Sequence, residues 1–268
     1  MVKKTTTHLI LLTILAISLA ACGRSEDAAQ DTPTAVAVAT NQPEATEVPE
    51  VPVATAPEDS SPAESSASSG ASVSFQMDAW ADNWFAVYLD ETLLVEDSIS
   101  INTERSFNAE SVTFSAAYPL HLNFILKDFK ENDTGLEYIG ANNQQMGDGG
   151  FIMQLTDTST GDVVAVSDSA FACLVIHEAP LDKACEREAN PVAGTAPCEF
   201  MEISEPDGWK SADFDDSAWT ATTIHSASDV SPKQGYDRIS WANSAEFIWG
   251  PDLETDNTLL CRVTVSGG

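Results

Sequence analysis

The chain has 268 residues, with 12 basic against 42 acidic side chains and a formal net charge of −30. That balance argues against nucleic acid as a partner, because a phosphate backbone needs a basic footprint, and equally against direct adsorption to anionic lipid. A dense acidic surface keeps a protein soluble in saline water and attracts cations, and a hydrophobic content of 43% is ordinary for a globular domain.

Lys3 and Lys4 precede an apolar run from Leu9 to Ala21. A basic start followed by such a run has the form of an export signal, and the run is short for a membrane span, which needs about 20 apolar residues. Leu19-Ala20-Ala21-Cys22 resembles the lipobox of bacterial lipoproteins. In that family the Cys thiol takes a diacylglycerol, the peptide is cut before it, and the new amine is acylated. The resemblance implies that residues 1–21 are a signal peptide and that acyl chains on Cys22 hold the protein to the membrane. The other reading is an ordinary signal peptide followed by a chance Cys. The implied location is the bacterial cell envelope, and Gly23 in place of the Asp that marks inner-membrane retention points to the outer membrane if the cell is Gram-negative.

Gly23 to Ser72 is rich in Pro, Ala, Ser, Thr, Val and Glu. Its composition buries too little apolar surface to offset backbone ordering. Residues 22–72 are therefore expected to be a lipidated Cys followed by a disordered acidic tether. A flexible chain of about 50 residues keeps its ends about 40 Å apart, enough to lift a domain off a bilayer.

From Val73 the pattern becomes that of strands. VSFQMDAW, WFAVYLD, TLLVED, SVTFSAAY and LHLNFILKDF are enriched in β-branched and aromatic residues, with turn signals such as Asp90-Glu91, Asn108 and Asn132-Asp133 between them. FIMQLTD and DVVAVSD flank Thr158-Ser159-Thr160-Gly161 as a hairpin, and ACLVIHEA, EFIWG and TLLCRVTV complete the series. No dozen residues carry a helical apolar stripe. The expectation is an all-β fold, an antiparallel β-sandwich over residues 73–268, about 200 residues and enough for one sizeable core.

Besides Cys22 the cysteines are Cys173, Cys185, Cys198 and Cys261. An even number in an exported chain points to two disulfides, with three connectivities open. Cys185 and Cys198 bracket a polar, Pro-containing loop whose closure is worth roughly 3 kcal/mol, which favours Cys185–Cys198. Cys173–Cys261 then joins two apolar strand-like runs. A zinc site is the alternative, without the close Cys-x-x-Cys spacing such sites favour.

GWKSADFDDSAW at Gly208–Trp219 resembles the opening of galactose-binding-like jelly-roll domains found beside many glycoside hydrolases. FIWGPD at 247–252, LLCRVTV at 259–265 and ADNWFAVYLDE at 81–91 resemble further stretches of that family, with Asp90-Glu91 in place of Asn-Gly. The resemblance implies a jelly roll. The order of the stretches departs from the usual one, and joining Val265 to Val73 restores it, so a circular permutation is expected. Phe214 and Trp219 are expected to serve as apolar anchors, with Asp215, Asp216 and Ser217 turning the backbone between them.

GLEYIGANNQQMGDGGFIMQ at 135–154 is the most unusual stretch. Asn142, Asn143, Gln144 and Gln145 offer paired donors and acceptors suited to sugar hydroxyls, beside Asp148 and close-approach glycines. With Trp84 as a stacking platform, these are the candidate ligand-binding residues. The alternative is a long hairpin whose amides satisfy their own backbone. Asp148, or the pair Asp215 and Asp216, can supply carboxylates to a structural calcium, although neither has the spacing of a dedicated calcium loop. Of six Trp residues, each taken singly reads as core. His121, His177 and His225 are the histidines beyond the leader, with neither a GxSxG elbow nor an HExxH pair among the motifs, so no catalytic residue is assigned. The composite expectation is a lipid-anchored surface protein that binds carbohydrate or another envelope or extracellular partner without catalysis. The alternatives are a protein-interaction module without a small-molecule ligand and, more weakly, a hydrolase of extracellular polysaccharide.

Overall fold

A computed structural model describes residues 70–267. The expected signal peptide, Cys22 and nearly all of the tether lie outside the described residues. In chain order the strands are β1 (Val73–Asp82), β2 (Trp84–Leu89), β3 (Thr92–Glu96), β4 (Asn108–Ala116), β5 (Leu120–Lys127), β6 (Leu136–Glu137), β7 (Gln145–Met146), β8 (Gly150–Asp157), β9 (Val163–Val166), β10 (Ala172–Glu178), β11 (Met201–Glu202), β12 (Thr220–Ala221), β13 (Thr223–His225), β14 (Phe247–Trp249) and β15 (Asp256–Val265), with one short helix, α1 (Ala227–Val230). The long apolar runs of the sequence become the long strands; short β11, β12 and β13 add to sheet edges, three-residue β14 lies between β13 and β8, and β6 and β7 pair with each other.

The strands form the expected antiparallel β-sandwich. One sheet runs β13-β14-β8-β1-β4 with β9 on β8, and the other β11-β10-β15-β5-β2-β3 with β12 on β10. Side chains alternate across a strand, and the alternation explains the core. β1 sends Phe75, Met77, Ala79 and Ala81 inward, β5 sends Leu120, Leu122, Phe124 and Leu126, and β8 sends Phe151, Met153 and Leu155. Burying a side chain of this size contributes about 1.5–3 kcal/mol.

Both outer faces are also covered, which explains the tryptophans. On the second sheet, Trp209, Phe214 and Trp219 pack on Ala86, Ile125, Ile176 and Leu260. On the first, residues 226–247 fold over Trp80, Phe107 and Ile152, with Tyr236 stacked between Trp241 and Phe247 at 5.7 and 5.4 Å. Trp80, Trp209 and Trp249 are buried, and Trp84, Trp219 and Trp241 half-buried.

Cys173–Cys261 ties β10 to β15 at directly opposed positions. Cys185–Cys198 closes its loop and packs against Leu136 beneath the β6–β7 hairpin. At one pole, Gly70 sits beside Ala117 and Tyr118, and Gly267 lies against the Tyr118 ring. β1 and β15 belong to different sheets, and the described chain begins and ends against the same loop. From that pole β1 and β5 run in the same direction, and β1 alone spans about 30 Å. Both reach the opposite pole at an aspartate.

Candidate metal centre

That opposite pole is built from strand ends. Asp82 is the last residue of β1, paired with Gly150 of β8. Asp128 directly follows β5, its amide donating to the Asn257 carbonyl at 2.9 Å. Asn83 locks the two together: its amide donates to the Lys127 carbonyl at 2.9 Å, and its Oδ1 accepts from the Phe129 amide at 2.6 Å. Asp148 comes from the glycine-rich loop before β8, whose close approach depends on glycine. A side chain at Gly147 would collide with the Asp128 carboxylate, and one at Gly149 with the Trp249 ring. Glu137 enters from β6.

Asp82, Asp128 and Asp148 each turn a carboxylate oxygen into one space, all within 4.8 Å of one another. Asp82 is 0%, Asp128 3% and Glu137 2% exposed. Among the described residues the ammonium in contact is that of Lys233, 3.0 Å from Asp82 Oδ2 and 2.6 Å from Asp148 Oδ2. Gln145 Nε2 donates to Glu137 Oε2 at 2.8 Å. Asp82 Oδ1, both Asp128 oxygens and Glu137 Oε1 have no hydrogen-bond partner among the described residues.

The electrostatics follow from that shortage. Burial pushes the Asp82 carboxyl well above the ordinary range, Asp148 adds to the rise, and Lys233 only partly offsets it. Asp128 is driven up by burial and then by the charges of Asp82, Asp148 and Glu137. Burial lifts Glu137 to about 7 against the Gln145 hydrogen bond. Burial alone would lower the Lys233 ammonium, but Asp82 and Asp148 outweigh it and hold it above its ordinary value. An unpaired buried carboxylate costs several kcal/mol, so this chamber demands either protons or a cation of higher charge. Its donors are all oxygen, which suits a hard cation and not zinc. The 4.8 Å spread is about twice a calcium–oxygen bond of 2.3–2.6 Å, so one ion can touch all three aspartates. The Asp148 and Lys233 side chains, 36% and 34% exposed, are the members of the centre nearest solvent, and Asp148 also lines an open cavity with Gln145, Met146 and Gly147.

Of the residues singled out in the sequence, Asp148 belongs to this centre and Gln145 braces it from outside. Gln144 is turned away: its Nε2 donates to the Glu186 and Glu188 carbonyls at 2.7 and 2.9 Å, and its Oε1 accepts from the Gly140 amide. Asn142 and Asn143 are exposed at the hairpin tip between β6 and β7. Trp84 lies on the outer face of the second sheet with the Lys127 ammonium 4.9 Å over its ring. Gln145 and Asp148 line one open cavity beside the chamber, and Trp84 lies apart on the sheet's outer face. Asp215 and Asp216 lie elsewhere too. Asp215 accepts from the Ser217 amide at 3.1 Å, and Asp216 pairs with Arg262 at 2.8 Å, so the pair turns and anchors its loop and the grouped carboxylates are found instead at Asp82, Asp128 and Asp148. His177 is buried against Phe200 at 5.8 Å, with burial lowering its pKa.

Asp82, Asp128, Glu137 and Lys233 escaped the sequence reading. A usable signal was present: two apolar strands, VSFQMDAWAD and LHLNFILKD, each end on an aspartate. Comparison with known protein-family models, curated proteins and solved structures finds no match to this chain.

Proposed function

We propose that the protein is an exported, lipid-anchored binding module of the bacterial cell envelope, joined to the membrane through Cys22 and working without catalysis on carbohydrate or another envelope or extracellular partner. In a Gram-negative cell its seat is the outer membrane. A divalent cation, calcium by its chemistry, is held among Asp82, Asp128 and Asp148 as a structural element. One observation carries the reading: the polar centre of the domain is closed and lies at the pole away from the loop where the chain enters. A catalytic pair needs carboxylates that a substrate can touch, and Asp82 and Asp128 are sealed at 0% and 3% exposure.

Cells expressing the protein and fed labelled palmitate test the anchor. A labelled, membrane-bound product that loses label in Cys22→Ala supports it, and an unlabelled product retaining residues 1–21 overturns it. Retardation in polysaccharide affinity gels without release of reducing sugar supports non-catalytic binding, and release of reducing sugar overturns it.

A further inference from the structure

Lys233 sits where a metal ion would sit. Its ammonium contacts one oxygen each of Asp82 and Asp148 at 3.0 and 2.6 Å, two of the three aspartates that share the space. Calcium needs carboxylate oxygens at about 2.3–2.6 Å. An ion bound to those carboxylates and an ammonium bound to the same oxygens would overlap in volume and repel in charge.

Lys233 is also a poor filling for the space it holds. It brings one positive charge to four carboxylates and leaves Asp82 Oδ1, both Asp128 oxygens and Glu137 Oε1 without a partner. These side chains are more than nine-tenths buried, and those of Asp82 and Asp128 converge with Asp148 on the chamber. Calcium takes six to eight oxygens and can collect atoms that the ammonium does not reach.

The backbone carrying Lys233 permits an exchange. Residues 231–235 belong to neither strand nor helix and are flanked by two positive-φ positions, Ser231 at 49° and Gly235 at 93°. The side chain is 34% exposed, so it has a route to solvent, and its ammonium lies 4.8 Å from the Phe107 ring centre. The next residue offers a reporter, because the Gln234 carbonyl accepts from Trp80 Nε1 at 3.0 Å.

We propose that the chamber is a calcium site whose resident competitor is Lys233: ion and ammonium use the same Asp82 and Asp148 carboxylates, and calcium enters as Lys233 swings out to solvent. The inference rests on the cation reading above and adds the exchange. It makes Lys233 the residue that sets calcium affinity and makes the 231–235 segment the part of the domain that responds to the ion.

The test uses the full chain purified in detergent, with calcium chloride titrated calorimetrically into the wild type, Lys233→Met and Asp128→Asn. Methionine keeps an apolar stem over Phe107 and removes the charge. The expected result is calcium binding by the wild type, at least tenfold tighter binding by Lys233→Met, and a loss of at least a hundredfold in Asp128→Asn. Equal or weaker binding by Lys233→Met overturns the competition and leaves the cation site standing. Absence of binding in both wild type and Lys233→Met overturns the cation site itself, and wild-type affinity in Asp128→Asn does the same. A second measurement needs no variant: the acetylation rate of Lys233 by an amine-reactive anhydride, read by mass spectrometry, is expected to rise several-fold with calcium. An unchanged rate in calcium-bound protein overturns the exchange.

Discussion

Two buried polar centres of this domain make a natural comparison, because one is complete and the other is not. Arg262, on the outward face of β15, is 6% exposed. It donates from Nε to Asn123 Oδ1 at 3.0 Å, from Nη2 to the Ser211 carbonyl at 2.7 Å, and from Nη1 to the Phe214 carbonyl at 3.0 Å and Asp216 at 2.8 Å. Asn123 completes the network by donating to the Asp90 and Lys210 carbonyls. The carboxylate chamber at the far pole has, among the described residues, four acids, one ammonium and four oxygens without a hydrogen-bond partner. Buried polar groups are nearly always paired, and a fully satisfied network makes a rigid, uniquely specified structure. The Arg262 centre therefore explains itself as architecture: it fastens the FDDSAW segment to the sheet. The chamber explains itself only with something added.

The comparison breaks first at Arg262. Arg262→Met strips the anchor from Asp216 and two carbonyls, and chemical denaturation should show a loss of about 3–5 kcal/mol, the same in calcium as in chelator. A calcium-dependent loss would erase the distinction between the two centres. Asp128→Asn sharpens it through a change of sign. In chelator the variant should be as stable as wild type or more so by about 1–3 kcal/mol, because a buried unpaired carboxyl is replaced by a neutral amide. In millimolar calcium it should be the less stable protein, having lost a ligand.

A third buried acid supplies a control away from both centres. Asp97 is 5% exposed; its Oδ1 accepts from the Ile99 amide at 2.8 Å, while Oδ2 has no partner from the protein. Burial raises its pKa to about 6, with a contribution from Glu110. The folded value thus lies above the unfolded value of about 3.9. Its stabilising effect is complete below about pH 4 and is lost as the pH rises through about 6. Urea midpoints should fall across that window by the equivalent of at most about 3 kcal/mol, and Asp97→Asn should flatten that part of the profile. The smallest effect belongs to Asn142→Ala and Asn143→Ala at the exposed hairpin tip, which should change stability by less than about 0.5 kcal/mol; a loss of polysaccharide retention in either would return that tip to the binding surface.

The sandwich was legible because period-two burial writes itself into runs such as Phe75-Met77-Ala79-Ala81 and Leu120-Leu122-Phe124-Leu126. The anchoring role of Phe214 and Trp219 was legible for the same reason, as large apolar residues spaced by turn formers. The chamber was not. Its members come from positions 82, 128, 137, 148 and 233, and only the fold brings them together. Among 42 acidic residues, no local feature distinguishes an acid that ends a strand inside the pole from one in solvent. The amide-rich loop was legible by composition, but the partners of its amides were not. Composition suggested a ligand surface, but Gln144 meets the Glu186 and Glu188 carbonyls and Gln145 meets Glu137, contacts that depend on where the disulfide-closed loop folds.

The most direct measurement is the thermal unfolding midpoint of the wild-type protein, recorded in excess chelator and again in calcium at about a thousand times its dissociation constant. Linkage at that ratio is worth about 4 kcal/mol, so for a domain of this size the midpoint should rise by roughly 8–16 °C. A midpoint unchanged between chelator and millimolar calcium would contradict the assignment of the chamber to a cation.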